Sequence, residues 1–508
     1  MKKHVAMTAV CAMALAIFAA FGQEKQNDVR KIRSYRLKRD VPVEVIEGGN
    51  VIGGRKLLPG TIVDLPEERA AVKSAEKGEV AEKNSIEGVG AAPKEKAVPK
   101  TGAKRAAPER SLAMDQFRDR MSGAWLGQSI GVAYGAPTEF KCVGKPVPDD
   151  LMPEYKAEII NGTFCQDDLY VEMTFLDVLD RCGVDVDARE AGIAFANSKY
   201  RLWCANHNAR NNLRRGIAAP SCGHPNFHPT PYDIDYQIEA DFSGIISPGL
   251  PNRAVRLGNR FGAVMNYGDG LYAGQFVGAM YAEAYFTQDR PSVVRSALRH
   301  IPAESRYAEM VRDTLAAYGR DPSNWRTAWE ALTRKYFTPQ NCRFVSFAGI
   351  DVRLNGAYVL IGYLWGDGDM EKTARIATGC GCDSDCNPAS ACGVLGASLG
   401  ASRIRGGFLE KLDRGRKWEF TDYDWDKLKA VSEKLVRQVV AAEGGRVERK
   451  ADGSEWIVVP VQEPRPNAFV SAEKPGPLPD DVRLSDAEMV RVRFLPCSCA
   501  GGQSVPRK

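Results

Sequence analysis

Two stretches of this 508-residue sequence place acidic residues where they could do chemistry. In GTFCQDDLYVEMTFLDVL, Asp167 and Asp168 stand together at the start of an apolar run. In ATGCGCDSDCNPASACGVLGASLGA, Asp383 and Asp385 lie in a glycine- and cysteine-rich turn ahead of a small-residue run. The helix dipole favours acids at a helix start, so capping alone accounts for an isolated pair. A cap needs one side chain, however, and the second stretch offers two acids and Asn387, with Pro388 suited to the first helical turn. Two such pairs ahead of buried helices concentrate roughly four negative charges, which calls for a cation. Oxygen ligation selects Mg²⁺, or else Mn²⁺ or Ca²⁺, over zinc. The C-x-C-x₃-C spacing of Cys380, Cys382 and Cys386 is not a usual structural-zinc pattern, and no matching His or CxxC partner follows.

The elements that must position these acids are helices. From Met114 helical spacing recurs over 114–134, 167–181, 188–206, 270–286, 291–300, 306–318, 353–365, 370–378 and 388–400. Several of these carry small residues on one face, as in GQFVGAMYAEAYF, which lets helices approach closely. An amphipathic helix, DWDKLKAVSEKLVRQVVAA, and a strand-like piece, EWIVVPVQ, follow. The predicted fold class is all-α, a compact multi-helix core over 111–462 with an irregular, Pro-rich tail over 463–508. Residues 32–66 alternate apolar and polar between Gly-Gly and Pro-Gly turns and predict a small β-rich, SH3-like module. Residues 67–110, rich in Ala, Lys, Glu, Pro and Gly, predict a flexible linker.

The N-terminus reads as a signal peptide over 1–22: Lys2, Lys3 and His4, an apolar run, then Ala20 and Gly22 ahead of Gln23. Export to the periplasm or the exterior follows, and no later segment reads as membrane-spanning. Net charge is +5, with 69 basic and 64 acidic residues, which gives no warrant for a nucleic-acid or membrane-surface partner. Cys142, Cys165, Cys182, Cys204 and Cys392 sit in apolar or small-residue patterns and read as unpaired core thiols.

On these segments the chain resembles the ADP-ribosylglycohydrolase family, in what reads as an exported bacterial branch. MSGAWLGQSIGVAYGAPTEF matches the family's opening glycine-rich helix, with Glu139 in its Glu-containing turn. Gln166, Asp167 and Asp168 stand for a Thr-Asp-Asp segment, and Asp383, Ser384, Asp385 and Cys386 for Asp-x-Asp-Thr. The resemblance implies a binuclear magnesium site that orients a ribose cis-diol and positions a water. It implies metal ligation by Asp167, Asp168, Asp383 and Asp385, with Gln166 and Cys386 where the family has threonines, and catalytic roles for Glu139 and Asp168. Gln166 still offers a carbonyl oxygen; Cys386 is a poor ligand for Mg²⁺, so the site takes one ion, two, or a different one.

Asn212, in a polar cluster after a helix, and Asp241 and Asp269, each ahead of a small-residue helix, are candidate substrate-binding residues. His224 and His228 are separated by proline and read as loop structure, and Asp351 and Asn355 as helix caps. The expected activity is hydrolysis of an N- or O-glycosidic bond in a small glycoside or glycosylated substrate. The alternative is a non-catalytic binding or structural protein of the crystallin-like type, as among the family's lens relatives.

Overall fold

The computed structural model describes residues 32–37, 41–47, 50–57, 62–66, 86–88 and 108–492. The segment read as a signal peptide, most of that read as linker, and the end of the chain with Cys497 and Cys499 lie outside the described residues. The chain forms two compact units, divided between Arg105 and Ala106.

The first unit contains β1 (Ile32–Leu37), β2 (Val41–Glu47), β3 (Asn50–Leu57), β4 (Ile62–Pro66) and β5 (Ile86–Gly88). β2 and β3 pair as an antiparallel ladder with a register shift between Val45 and Ile46. β1 is flanked by β4 and β5, both antiparallel. β5 falls inside the stretch expected as linker: its backbone groups complete the second edge of β1.

The second unit is predominantly helical. Its helices are α1 (Met114–Gly135), α2 (Asp167–Cys182), α3 (Ala188–Ala196), α4 (Cys204–Arg214), α5 (Asp235–Ile238), α6 (Asp241–Ile245), α7 (Pro251–Phe261), α8 (Asp269–Ala284) and α9 (Arg290–Leu298). They continue with α10 (Arg306–Arg320), α11 (Trp325–Tyr336), α12 (Val352–Trp365), α13 (Met370–Gly379), α14 (Cys386–Leu399), α15 (Phe408–Lys411), α16 (Trp425–Ala442) and α17 (Asp486–Arg491). Every residue of α8 and α12 is buried, so these are the central helices. A small antiparallel sheet in the order β6-β8-β7 joins the start of this unit to the chain after α16, through β6 (Glu109–Ala113), β7 (Arg446–Arg449) and β8 (Glu455–Pro460). No described helix is long and apolar enough to cross a membrane.

The helix expected over 188–206 is two helices. Asp187 caps α3 through the Glu190 amide, and the chain then breaks because side chains take over its carbonyls. Arg210 donates to the Ser198 and Tyr200 oxygens and Arg214 to those of Ala196 and Ser198. The irregular C-terminal stretch is held by tyrosine hydroxyls, with the amides of Val470, Ala472 and Gly476 donating to Tyr272, Tyr232 and Tyr267. Its last described element is α17, whose Ser485 and Glu488 form a reciprocal cap.

The described cysteines are free thiols, but the expectation of burial fails for most of those named. Cys392 is buried, Cys142 and Cys204 are half-buried, and Cys165 and Cys182 are exposed. Cys165 lies in the turn ahead of α2 and Cys182 is that helix's last residue, so neither stands on its packed face.

Candidate metal centre and cavity

Close packing of α1 on α14 sets the site. Gly123, Gly127, Gly131 and Gly135 recur every fourth residue along α1, forming one stripe. A β-carbon on Gly127 would stand 2.2 Å from the Cys392 carbonyl oxygen, and one on Gly131 2.2 Å from that of Pro388. The two backbones therefore touch, and the chain just past α1 meets the turn just before α14. The Phe140 amide donates to Cys382 O at 2.9 Å, and the Cys382 amide to Cys142 O at 2.9 Å. The Thr138 and Ser384 hydroxyls bond at 2.7 Å. Gly381, at φ +77°, presses on this junction: a β-carbon there would lie 2.3 Å from Cys142 O.

The acids converge from two elements. Asp167 and Asp168 are the first residues of α2, and the side chain of Gln166 before them makes no capping bond. Asp385 occupies the cap position of α14, again without a capping bond, and Cys386 begins the helix. Asn387 does not cap; its amide donates to Asn355 Oδ1 at 2.9 Å. Asn355 also accepts from the Asp383 amide at 3.3 Å and donates to Gly349 O and Asp351 O. Asn355 thus clamps the acidic turn rather than capping, while Asp351 caps α12 as expected.

Oxygens of Asp167 and Asp168 and the Cys386 sulfur lie within 4.8 Å of one another, as do those of Asp383 and Asp385 with the same sulfur. Burial, then the neighbouring Asp385, raises the carboxyls of Asp383 and Asp167 above their ordinary range, Asp167 to about 6. Burial, then Asp167 and Asp385, does the same to Asp168. Glu139, an exposed residue on the cavity lining, has its carboxyl raised by partial desolvation, then by Asp385 and Asp167. Asp168 Oδ2, Asp383 Oδ1 and Asp385 Oδ1 are buried with no hydrogen-bond partner. Each such atom costs about 1–3 kcal/mol, and a protonated carboxyl would itself need an acceptor. A divalent cation neutralises the charge and satisfies these oxygens together, so the residues fit a metal.

The acids open onto a cavity of about 660 Å³. Glu139, Gln166, Asp167, Asp383, Asp385 and Cys386 line it, with Asn206 and Asp235. Its walls include Phe140, Tyr170, Trp203, Phe347 and Phe420, and Arg201 is the one Arg or Lys among the described lining residues. The Arg201 guanidinium lies 3.7 Å from the Trp203 ring centroid. Trp203 and Phe420 are exposed at 48% and 61%, unusual for large aromatics and suited to stacking on a ligand ring.

A second buried acidic layer lies behind. Asp241 accepts the Tyr281 hydroxyl at 2.6 Å, and burial raises its carboxyl to about 8. Glu172 accepts from Gln128 at 2.7 Å and from the Phe242 amide at 2.8 Å. Asp235 holds the start of α4 through the Asn206 amide at 2.8 Å, and Glu239 accepts from the Asn206 side chain.

Of the residues proposed to contact substrate, none lines the cavity. Asp241 lies in the layer beneath. Asn212 donates to the carbonyls of Cys222 and Phe227, satisfying an irregular loop. Asp269 accepts the Tyr307 amide and lies 3.7 Å from Arg353, which pairs with Asp351. His224 and His228 bond to Gly476 O and Ala205 O, in keeping with loop structure. Trp203, Asp235 and Phe420 went unrecognised in the sequence, and Asn355, read there as a helix cap, instead braces the acidic turn.

The family model for ADP-ribosylglycohydrolase matches residues 113–444. Among solved structures, an "ADP-ribosylglycohydrolase-related protein complex" is similar at 17% identity and a TM-score of 0.41, covering 64% of this chain and 100% of that one. No curated protein matches. With the acidic turns and glycine-lined helix pair inside a match that spans most of its length, the chain belongs to the ADP-ribosylglycohydrolase family.

Proposed function

We propose that the protein hydrolyses an N- or O-glycosidic bond of a ribosyl or other glycosyl substrate, outside the cytoplasm, with one or two divalent ions. The observation that carries the metal dependence is the set of partnerless buried oxygens on Asp168, Asp383 and Asp385. Asp167, Asp168, Asp383, Asp385 and Cys386 would hold the ion, with the Gln166 carbonyl oxygen at the cavity edge. When bound, Mg²⁺, Mn²⁺ or Ca²⁺ supplies Lewis-acid polarisation of a sugar diol and counter-charge to the acids.

The protein's own groups do the rest. Trp203, Tyr170 and Phe420 form a wall on which a sugar or base ring stacks, shielding the bond from bulk water. With a cation offsetting the charge of Asp167 and Asp385, which raises its carboxyl, Glu139 would ionise, take the proton of the attacking water and return it to the departing nitrogen or oxygen. Positive charge developing on the anomeric carbon faces the acidic floor, which suits an oxocarbenium-like transition state. Export rests on the basic start and apolar run of residues 1–22.

The test is hydrolysis of a panel of ADP-ribosylated, nucleoside-like and simple glycosides by chelator-stripped protein, with and without each ion. Turnover that needs metal and vanishes in Asp385→Asn supports the reading. Turnover undiminished by chelator refutes metal dependence. No turnover and no metal binding favours the non-catalytic alternative.

A further inference from the structure

Cys386 occupies the position common to both acidic groups. Its sulfur lies 3.1 Å from Asp168 Oδ1 and within ligand range of Asp167, Asp383 and Asp385. It lines the cavity, whereas Cys380 and Cys382 of the same turn do not. The oxygens left without partners beside it belong to side chains almost wholly buried, at 0% exposure for Asp168, 2% for Asp383 and 3% for Asp385. An ion drawn in by those oxygens therefore meets a sulfur within the same small volume.

We infer that Cys386 is a sulfur ligand of this centre, and that the centre takes a thiophilic divalent ion of the zinc, cobalt or iron class in preference to Mg²⁺. The inference rests on the proposed metal-dependent reading and refines it. Mg²⁺ demands near-ideal octahedral oxygen ligation and loses water reluctantly, so a thiol in the ligand shell disfavours it. Zinc and its neighbours accept mixed carboxylate and thiolate sets. On binding, the S–H bond breaks, a metal–sulfur bond forms and the proton leaves to solvent; sulfur is neither oxidised nor reduced. A structural role for Cys386, donating its S–H to Asp168, predicts none of this.

The experiment titrates the metal-stripped full chain with Co²⁺ and follows sulfur-to-cobalt charge transfer in the near ultraviolet together with proton release. Cys165 and Cys204 also line the cavity, so a Cys165→Ser/Cys204→Ser variant is titrated alongside Cys386→Ser. The expected result is a charge-transfer band in the wild type and the Cys165→Ser/Cys204→Ser variant that disappears in Cys386→Ser while visible d–d absorption remains. Zn²⁺ affinity should fall in Cys386→Ser by at least the roughly 10–100-fold that loss of an outer-shell partner costs, with Mg²⁺ affinity unchanged or higher. If circular dichroism shows Cys386→Ser to be misfolded, Cys386→Thr gives the same readout. Bound Co²⁺ without the band, or a band surviving loss of Cys386, overturns sulfur ligation and leaves the metal-dependent hydrolase standing. No binding of Co²⁺, Zn²⁺ or Mg²⁺ by the wild type overturns both.

Discussion

Replacing Gly131 by alanine tests whether the α1–α14 contact holds the candidate metal centre together. The added β-carbon would lie 2.2 Å from Pro388 O, 2.3 Å from its carbonyl carbon and 2.6 Å from the Ala389 nitrogen. All three are backbone atoms, so no side chain can rotate away. Reaching ordinary van der Waals separation requires the helices to part by roughly 1 Å. Overpacking of this kind costs about 1–3 kcal/mol, and parting the helices also weakens the contacts of Gly127 and Gly135 along the same stripe and of Gly396 on α14. The alanine returns at most about 1 kcal/mol of helix propensity. Net destabilisation of up to about 2–3 kcal/mol is expected, read from urea unfolding followed by tryptophan fluorescence. Gly319, in α10, is the control: a β-carbon there meets nothing within 4 Å. Gly319→Ala should therefore stabilise, by up to about 1 kcal/mol. Metal affinity should fall in Gly131→Ala alone, because Glu139 follows α1 and Asp385 precedes α14. Equal stability of the two variants would refute the argument that backbone contact sets the site.

Asp168→Asn and Asp385→Asn should each abolish turnover with the fold intact. Removing a buried charge should raise the melting temperature of the metal-free protein, while the stabilisation metal gives the wild type, about 2.7 kcal/mol at a hundredfold excess over Kd, is lost; calorimetry with and without metal checks both. Burial lowers the His228 imidazole from 6.5 to about 4. The folded state therefore favours neutral His228; stability is full above pH 6.5 and falls as the pH drops toward 4, by up to about 3 kcal/mol. His228→Gln should flatten the melting-temperature profile over that window, and an unchanged slope would assign it elsewhere. Arg189 binds Glu488 through both nitrogens and the Asp481 and Arg483 carbonyls. Arg189→Ala should speed tryptic cleavage after Arg483 and Arg491 without changing turnover; an unchanged cleavage rate would show that other contacts anchor the segment.

Most long helices were legible because their apolar residues recur at helical spacing, and α8 and α14 had the small-residue texture that close packing demands. The errors lie where side chains override local preference. The break between α3 and α4 is made by Arg210 and Arg214, which reach back to carbonyls that helix amides would otherwise bond. α7 and α11 were missed, although both are strongly amphipathic; α11 starts at a plain cap, with Asn324 accepting the Arg326 amide. The β6–β8 pairing joins segments some 340 residues apart, a separation no local pattern encodes.

The metal centre divides the same way. Asp167 with Asp168, and Asp383 with Asp385, are neighbours in the chain, so sequence adjacency already implied convergence at a helix start. The cavity wall has no such adjacency: Tyr170, Trp203, Phe347 and Phe420 come from four separate segments. Asp241 and Asp269 look alike in sequence, each opening a helix of small residues, yet their environments separate them. Asp269 has Arg353 nearby and serves an ion network on α12. Asp241 has a tyrosine hydroxyl for a partner and, behind it, the buried carboxylate of Glu172. A buried acid with a cationic neighbour is already neutralised, and one without it awaits a cation or a proton. That distinction, not the acid's place in its helix, sets Asp241 among the uncompensated buried acids near the candidate metal centre and Asp269 apart from them.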